Sequence, residues 1–166
     1  MDANVFITAW ENKFGYPINV LPSLWKKLAE LKYQIIIIKP VFEEIDPILS
    51  SERKLTTVKK KKKYSLRIWL EENGFVETSV DDNIKSVSLE LEKEYEVNDI
   101  SKGANKKDIL LIAYAKEMDK IVVTFEKEQL EKPNKKSSYR IPLICKERNV
   151  ECITFVEMLL QLNIMV

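Results

Sequence analysis

The apolar positions alternate between helical spacing and short unbroken runs. Residues 34–39 hold four consecutive isoleucines, and a strand with no polar face is typical of a parallel sheet covered by helices. Residues 121–124 and 151–153 predict two more short strands. Apolar residues that recur every three or four positions predict helices in the remaining segments, with Thr154 as an N-cap: 4–14, 22–31, a short one after Pro40, 64–72, 81–95, 108–118, 142–148 and 154–162.

Strands that alternate with helices predict crossover connections and an α/β fold with a parallel sheet. In such sheets, ligands bind beyond the carboxyl ends of the strands. The 166 residues contain no repeat and no Pro/Gly/Ser-rich linker. We therefore expect one domain over residues 1–166.

The composition excludes several classes of enzyme. Histidine is absent, so no Ser-His-Asp triad, Cys-His dyad or His-ligated zinc can exist. Only 3 glycines are present, which argues against a glycine-rich phosphate loop. The charges nearly balance, with 27 Lys and Arg against 26 Asp and Glu. Carboxylates, hydroxyls, amines or an oxygen-liganded metal remain as sources of chemistry.

The two cysteines, Cys145 and Cys152, are too few for a disulfide framework. They indicate a reducing compartment or at most one bridge. The apolar run Ile35–Ile38 is far shorter than the ~20 residues of a membrane-spanning helix. The first thirty residues show no basic start followed by an apolar core. These features predict a cytoplasmic protein without a membrane span.

Four acids lie at or near predicted strand ends: Asp2, Glu44, Asp108 and Glu126. Carboxylates that converge on one cleft repel each other unless a cation neutralises them, and such oxygen ligands suit Mg²⁺ or Mn²⁺. Each acid also has an ordinary interpretation. These interpretations are a frayed terminus for Asp2, a solvated helix face for Glu44, a charge at a helix start for Asp108 and a charged surface stretch for Glu126.

Six segments resemble PIN domains, nearest to a branch related to VapC toxins that is often described only as a domain of unknown function. The motif blocks that carry the resemblance are DANVFI, VFEEI, KKDILLIAYA and VVTFE. The flanking stretches YPINVLPSLWKKL and RIPLICKERNVECITFVEML are also similar. The resemblance spans nearly the whole chain and is weakest over residues 50–100.

The resemblance implies a three-layer α/β/α sandwich with a central, mostly parallel sheet. It also implies an endoribonuclease that depends on Mg²⁺ or Mn²⁺, in which a metal-activated water hydrolyses RNA phosphodiesters. An antitoxin partner and a homodimer follow from the same resemblance. Asp2, Glu44, Asp108 and Glu126 would be the catalytic, metal-binding acids. Asn4 and Thr124 would orient a carboxylate or a water.

A basic stretch, residues 53–67, holds eight Lys or Arg and no acid. Such a block can neutralise phosphates without sequence preference, and we expect RNA contact at its core: Lys59, Lys60, Lys61, Lys62 and Lys63. A solvated loop is the alternative interpretation. Tyr64 and Trp69 can stack on bases, although their helical spacing favours core packing.

Two other functions stay open. Ala3 stands where the family usually has Thr or Ser, and only Met1 precedes Asp2 where the family has apolar residues of its central strand. These departures motivate a catalytically inactive PIN-like module that binds nucleic acid or protein. A flap-nuclease-like activity on DNA is the third hypothesis.

Overall fold

A computed structural model describes four stretches of the chain: residues 1–10, 22–46, 65–98 and 102–164. The chain divides into two compact units. The C-terminal unit comprises Met1–Asp2 and Ser79–Asn163, and the N-terminal unit comprises the described residues from Ala3 to Thr78 together with Ile164. Our expectation of one domain stays a prediction. In the described stretches, no helix has the length and apolarity needed to cross a bilayer.

The N-terminal unit contains four α-helices, a 3-10 turn and two strands over its described residues. In chain order they are α1 (Ala3–Thr8), α2 (Pro22–Glu30), the turn Lys32–Gln34, β1 (Ile37–Ile38), α3 (Lys39–Phe42), α4 (Ser65–Glu72) and β2 (Glu77–Thr78). The two strands run parallel, with Ile37 opposite Glu77 and Ile38 opposite Thr78. Helix α3 packs against both strands.

The isoleucine strand is shorter than the predicted 34–39 segment. Ile35 N–H donates to Lys32 O at 3.1 Å, so the 3-10 turn occupies the predicted start. Pro40 suits the first turn of a helix, and α3 begins directly at Lys39. Ile37 and Ile38 are both buried although they point to opposite faces. The prediction of burial on both sides is therefore confirmed.

Aromatic side chains form a cluster in the core of the N-terminal unit. The Trp69 ring lies 5.8 Å from Trp10, 5.2 Å from Trp25 and 5.7 Å from Phe75, measured between centroids. Edge-to-face and tilted pairs at such distances stabilise a core. Trp69 is therefore a packing residue, as its helical spacing favoured.

The C-terminal unit contains four α-helices, a 3-10 turn and two strands over its described residues. In chain order they are α5 (Asp82–Glu94), α6 (Lys106–Glu117), β3 (Val122–Thr124), the turn Lys136–Ser138, α7 (Ile141–Glu147), β4 (Cys152–Thr154) and α8 (Phe155–Gln161). Strands β3 and β4 are parallel, in the register Val122–Cys152 and Thr124–Thr154. Helix α8 packs on both strands, α7 on β4 and α6 on β3.

Local sequence explains these helix starts. Asp81 accepts from Ile84 N–H at 2.8 Å at the start of α5. Thr154 and Glu157 form a capping box at the start of α8, which confirms the predicted N-cap. Six of the twelve residues of α6 are buried, all of them between Ile109 and Ala115, as its apolar sequence predicts. The chain is thus a mixed α/β protein with short parallel strands.

Candidate functional site

Asp2 is fixed against the end of β3. Its backbone N–H donates to Val123 O at 3.0 Å, as a residue of a neighbouring strand would. Its side chain accepts a hydrogen bond from Thr124 Oγ1 at 3.0 Å. The residue is only 2% exposed, and a buried carboxylate needs such partners. The interpretation of Asp2 as a frayed terminus is therefore wrong.

The Thr124 hydroxyl connects Asp2 to Glu126. Glu126 N–H donates to Thr124 Oγ1 at 3.2 Å, while that hydroxyl donates its single proton to Asp2. The Glu126 carboxylate accepts from Ile141 N–H at 2.8 Å, at the start of α7. One hydroxyl thus sets the position of both acids. We refer to Asp2 and Glu126 as the acid pair and to the Thr124 side chain as its hydroxyl.

The surroundings of Glu126 disfavour its negative charge. Burial raises the pKa of Glu126, and the charge of Asp2 raises it further, against the opposing effects of Ile141 N–H and Arg140. Two carboxylates that share a partly desolvated place repel each other. A cation placed between them would relieve that repulsion, and the donors on offer are all oxygen atoms, which hard divalent cations prefer.

A cleft of about 430 Å³ lies along β4, from Val150 and Cys152 at its amino end to Thr154 at its carboxyl end, and it includes Thr124 at the end of β3. The carboxyl ends, where the general rule for parallel sheets places ligands, form one part of this cleft. Its wall carries three carboxylates and one ammonium, and Lys146 pairs with Glu128 at 3.1 Å. The polar and ionisable residues of the wall are Thr124, Glu126, Glu128, Lys146, Cys152, Thr154 and Glu157.

Asp108 lies in the first turn of α6 and belongs to a capping box. Its carboxylate accepts from Asn105 N–H at 2.8 Å, and the Asn105 side chain accepts from Asp108 N–H at 3.1 Å. The helix therefore starts at Lys106 rather than at the predicted Asp108. Asn105, a preferred N-cap residue, was the sequence signal for this start.

A backbone hydrogen bond holds the starts of α6 and α7 next to each other. Ala104 N–H donates to Tyr139 O at 2.8 Å, two residues before each helix begins. Gly103 makes this approach possible, because a Cβ at that position would lie 2.4 Å from Tyr139 O. Asp108 and the anchor of Glu126 therefore lie on adjacent helix starts.

The other predicted site residues are placed as follows. Glu44 is half-buried and Asn4 is exposed, and both belong to the N-terminal unit; their roles stay predictions. Lys59, Lys60, Lys61, Lys62 and Lys63 lie outside the described residues. Over the described part of the chain, no three His, Cys, Asp or Glu side chains are grouped to hold a metal.

Among the eight Lys and Arg residues of the predicted basic stretch, Arg67 is the one that lies within the described residues. Its guanidinium lies 4.0 Å from the Phe42 ring centroid and donates to Phe42 O at 2.7 Å. It also pairs with Glu71 at 2.8 Å. Packing in the N-terminal unit accounts for Arg67.

For the two cysteines, the sequence left open either a reducing compartment or at most one bridge. Cys145 in α7 is buried, Cys152 begins β4, and both are free thiols. The two thiols affect each other's titration: the neighbouring thiol lowers the pKa of Cys152 and, together with burial, raises the pKa of Cys145. The shared CKERNVEC segment was the only signal.

Comparison with known proteins gives a family. A family described as "Domain of unknown function (DUF4411)" matches residues 1–166. Because the match covers the whole sequence, the chain belongs to that family. No curated protein and no solved structure matches it.

Proposed function

We propose that this member of the DUF4411 family is a divalent-metal-dependent endoribonuclease, the toxin-like partner of a toxin–antitoxin pair. The proposed fold is PIN-like, a three-layer α/β/α sandwich around a central, mostly parallel sheet. The observation that carries the proposal is the acid pair and its hydroxyl at the end of β3. An antitoxin, a homodimer and a cytoplasmic location are parts of the proposal that rest on the PIN-like resemblance.

The acid pair fits a hard divalent cation. Asp2 is buried yet accepts a hydroxyl proton, and Glu126 has a raised pKa in the presence of that second carboxylate. Such a pair gains most from a positive charge. In the proposal Asp2 and Glu126 hold Mg²⁺ or Mn²⁺, and a ligand role for Asp108 and Glu44 rests on the PIN-like resemblance.

Each side chain then has a defined task. Thr124 holds the Asp2 carboxylate in one orientation through its hydroxyl. Ile141 N–H fixes Glu126 at the rim of the cleft. A bound Mg²⁺ or Mn²⁺ supplies charge for phosphate oxygens and lowers the pKa of a coordinated water. The open cleft admits a substrate strand beside these groups.

Cleavage of labelled RNA tests the proposal. The purified full chain is incubated with RNA or single-stranded DNA, in Mn²⁺ or in EDTA. We expect RNA to be cut internally with Mn²⁺ and to stay intact in EDTA. Cleavage that persists in EDTA would reject the mechanism. Preferential cutting of DNA would favour the flap-nuclease-like hypothesis instead.

Two variants of one residue sharpen this assay. Thr124→Ser keeps the hydroxyl that joins the acids, whereas Thr124→Val removes it with little change in volume. We expect the serine variant to keep most of the activity and the valine variant to lose on the order of 10- to 100-fold. Equal activities would show that the hydroxyl has no part in the site.

A binding module without catalysis is the second candidate. Asp108 and Glu126 both accept a backbone N–H at a helix start, which is a structural task in itself. If this task is their only one, the chain binds RNA or protein but cuts nothing. RNA retention on a filter, without cleavage in Mn²⁺, would favour this candidate.

A further inference from the structure

Two basic segments of the C-terminal unit lie against each other beside the acid pair. Residues 102–107 hold three lysines, residues 132–140 hold three lysines and an arginine, and neither segment contains an acid. Ala104 N–H donates to Tyr139 O at 2.8 Å. A Cβ on Gly103 would lie 2.4 Å from Tyr139 O, so no side chain separates the segments at this point. Positive charges from distant parts of the sequence are therefore brought to one surface.

The cations of these two segments differ in their surroundings. Lys132 pairs with Glu147 at 2.6 Å and Lys136 pairs with Glu94 at 3.0 Å, so an acid of the same unit offsets each of these charges. The other five cations are all exposed. We call these five the basic ridge: Lys102, Lys106, Lys107, Lys135 and Arg140.

The basic ridge borders the acid pair at Arg140. The next residue, Ile141, donates its N–H to the Glu126 carboxylate at 2.8 Å. Arg140 N–H donates to Gln129 Oε1 at 2.8 Å, which fixes the backbone here, while the Arg140 side chain is exposed. Burial raises the pKa of Glu126, and the positive charge of Arg140 acts in the opposite direction. Arg140 is therefore close enough to act on a group that binds at the acid pair.

The lysines at the start of α6 oppose the electrostatic preference of a helix. A helix start carries partial positive charge and favours acids, yet Lys106 and Lys107 occupy the first two positions of α6. The backbone there is already engaged, because the Asn105 side chain accepts from Lys107 N–H at 2.8 Å and from Asp108 N–H at 3.1 Å. The charged side chains, and not an open helix end, are therefore the feature that attracts an anion.

We infer that the basic ridge binds the phosphate backbone of the substrate RNA and holds the strand beside the acid pair. The inference rests on the proposed function, which identifies the strand as RNA. The cleft wall alone repels a polyanion, because it carries three carboxylates and its ammonium, on Lys146, pairs with Glu128. Exposed lysines and arginines neutralise phosphates without reading the sequence. The Arg140 guanidinium can in addition hold two phosphate oxygens at once.

RNA binding without divalent metal tests the inference. A fluorescent single-stranded RNA is titrated with the full chain in EDTA at a series of NaCl concentrations, and anisotropy gives the Kd. The test variant combines Lys106→Gln with Arg140→Gln. We expect its Kd at low salt to rise on the order of 10-fold. The slope of log affinity against log salt should become shallower by about 1.4, because each of two lost phosphate contacts contributes about 0.7.

Two further variants serve as controls. Lys116→Gln with Lys120→Gln removes the same net charge from exposed positions at the opposite end of α6 and should bind RNA as the wild type does. Lys106→Arg with Arg140→Lys keeps both charges of the ridge and should keep the wild-type salt slope. Equal Kd values and slopes in the test and control variants would overturn the inference and favour another partner, such as an acidic protein segment.

Cleavage in Mn²⁺, measured on the same proteins, separates this inference from the proposed function. A chain that binds RNA through the ridge but cuts nothing would reject the nuclease and support the ridge. A chain that cuts RNA while all variants bind it equally would reject the ridge alone. Absence of RNA binding by the wild type at low salt would also overturn the inference.

Discussion

The two pairs of parallel strands end in different surroundings. Lys39, which follows β1, forms an ion pair at 3.5 Å with Glu77 of β2, and these side chains are 54% and 38% exposed. Beyond β3, Asp2 and Thr124 are 2% and 1% exposed and bonded to each other. A surface ion pair contributes little to stability or chemistry, whereas a buried acid is costly and needs a reason. Polar residues at a strand end therefore indicate a functional site when the fold also buries these residues.

The largest expected effect concerns activity at the end of β3. Asp2→Asn keeps an oxygen that can accept from Thr124 but removes the negative charge. We expect RNA cleavage in Mn²⁺ to fall on the order of 100-fold or more, because a metal ligand is weakened. Initial rates on labelled RNA measure the loss.

The matched control lies in the N-terminal unit. Asp46 accepts from Leu66 N–H at 3.1 Å and Arg67 N–H at 3.2 Å and so caps α4. Asparagine caps equally well and tolerates the φ of 46° at this position. Asp46→Asn should cut RNA at the wild-type rate. Equal losses in both variants would remove the distinction between the two regions.

The next effect compares one glycine from each unit. A Cβ at Gly103 would lie 2.4 Å from Tyr139 O, a backbone atom that cannot move freely, so Gly103→Ala should cost about 3 kcal/mol of unfolding free energy. At Gly74 the φ is 75° and the near atom is the mobile Lys32 Nζ, so Gly74→Ala should cost about 1 kcal/mol. Urea unfolding measures both. A smaller loss at Gly103 would contradict the close approach of the starts of α6 and α7.

A buried tyrosine gives a smaller effect. Tyr95 donates to Glu147 at 3.0 Å and accepts from Arg148 Nε at 2.9 Å. Tyr95→Phe should cost about 1 to 2 kcal/mol because both partners lose a hydrogen bond. Tyr33→Phe, at an 86% exposed position of the N-terminal unit, is the control and should be neutral.

The same phenol predicts an alkaline transition. Burial raises the pKa of Tyr95 to about 12, so the folded state binds this proton more tightly than the unfolded chain. Its contribution to stability is present below the ordinary tyrosine pKa of about 10 and is lost as the pH rises through 12. Ultraviolet titration should show a late phenol that disappears in Tyr95→Phe. A full complement of phenols titrating near 10 would contradict this.

The smallest effect is the pH dependence at Glu126. Its pKa is raised in the folded protein, so its contribution to stability is present below the ordinary value of about 4.3 and is lost as the pH rises through the raised pKa. Glu126→Gln can still accept from Ile141 N–H but does not titrate. The stability of this variant relative to the wild type should therefore increase with pH. A difference that is constant with pH would show that Glu126 is not disfavoured as an anion.

Local rules predicted much of the C-terminal unit. Thr154 capped its helix as expected, because a capping box involves only neighbours. The predicted start of α6 at Asp108 was wrong, because Asn105 is the N-cap and Asp108 lies in the first turn of the helix. Strand β2 was missed because its two residues, Glu77 and Thr78, show no apolar pattern.

Contacts between distant residues could not be predicted in the same way. Thr124 and Asp2 are 122 positions apart, and Ile141 lies 15 positions after the Glu126 that it holds. The sequence placed Asp2, Thr124 and Glu126 at strand ends, but only the folded chain shows one hydroxyl serving both acids.

Titration of Mn²⁺ into the full chain by calorimetry, near neutral pH, tests the central claim most directly. The account predicts saturable binding to the wild type and to Asp46→Asn, and binding weakened on the order of 100-fold or more in the double variant Asp2→Asn with Glu126→Gln. Binding of Mn²⁺ to the double variant as tightly as to the wild type, or no binding to the wild type, would contradict it.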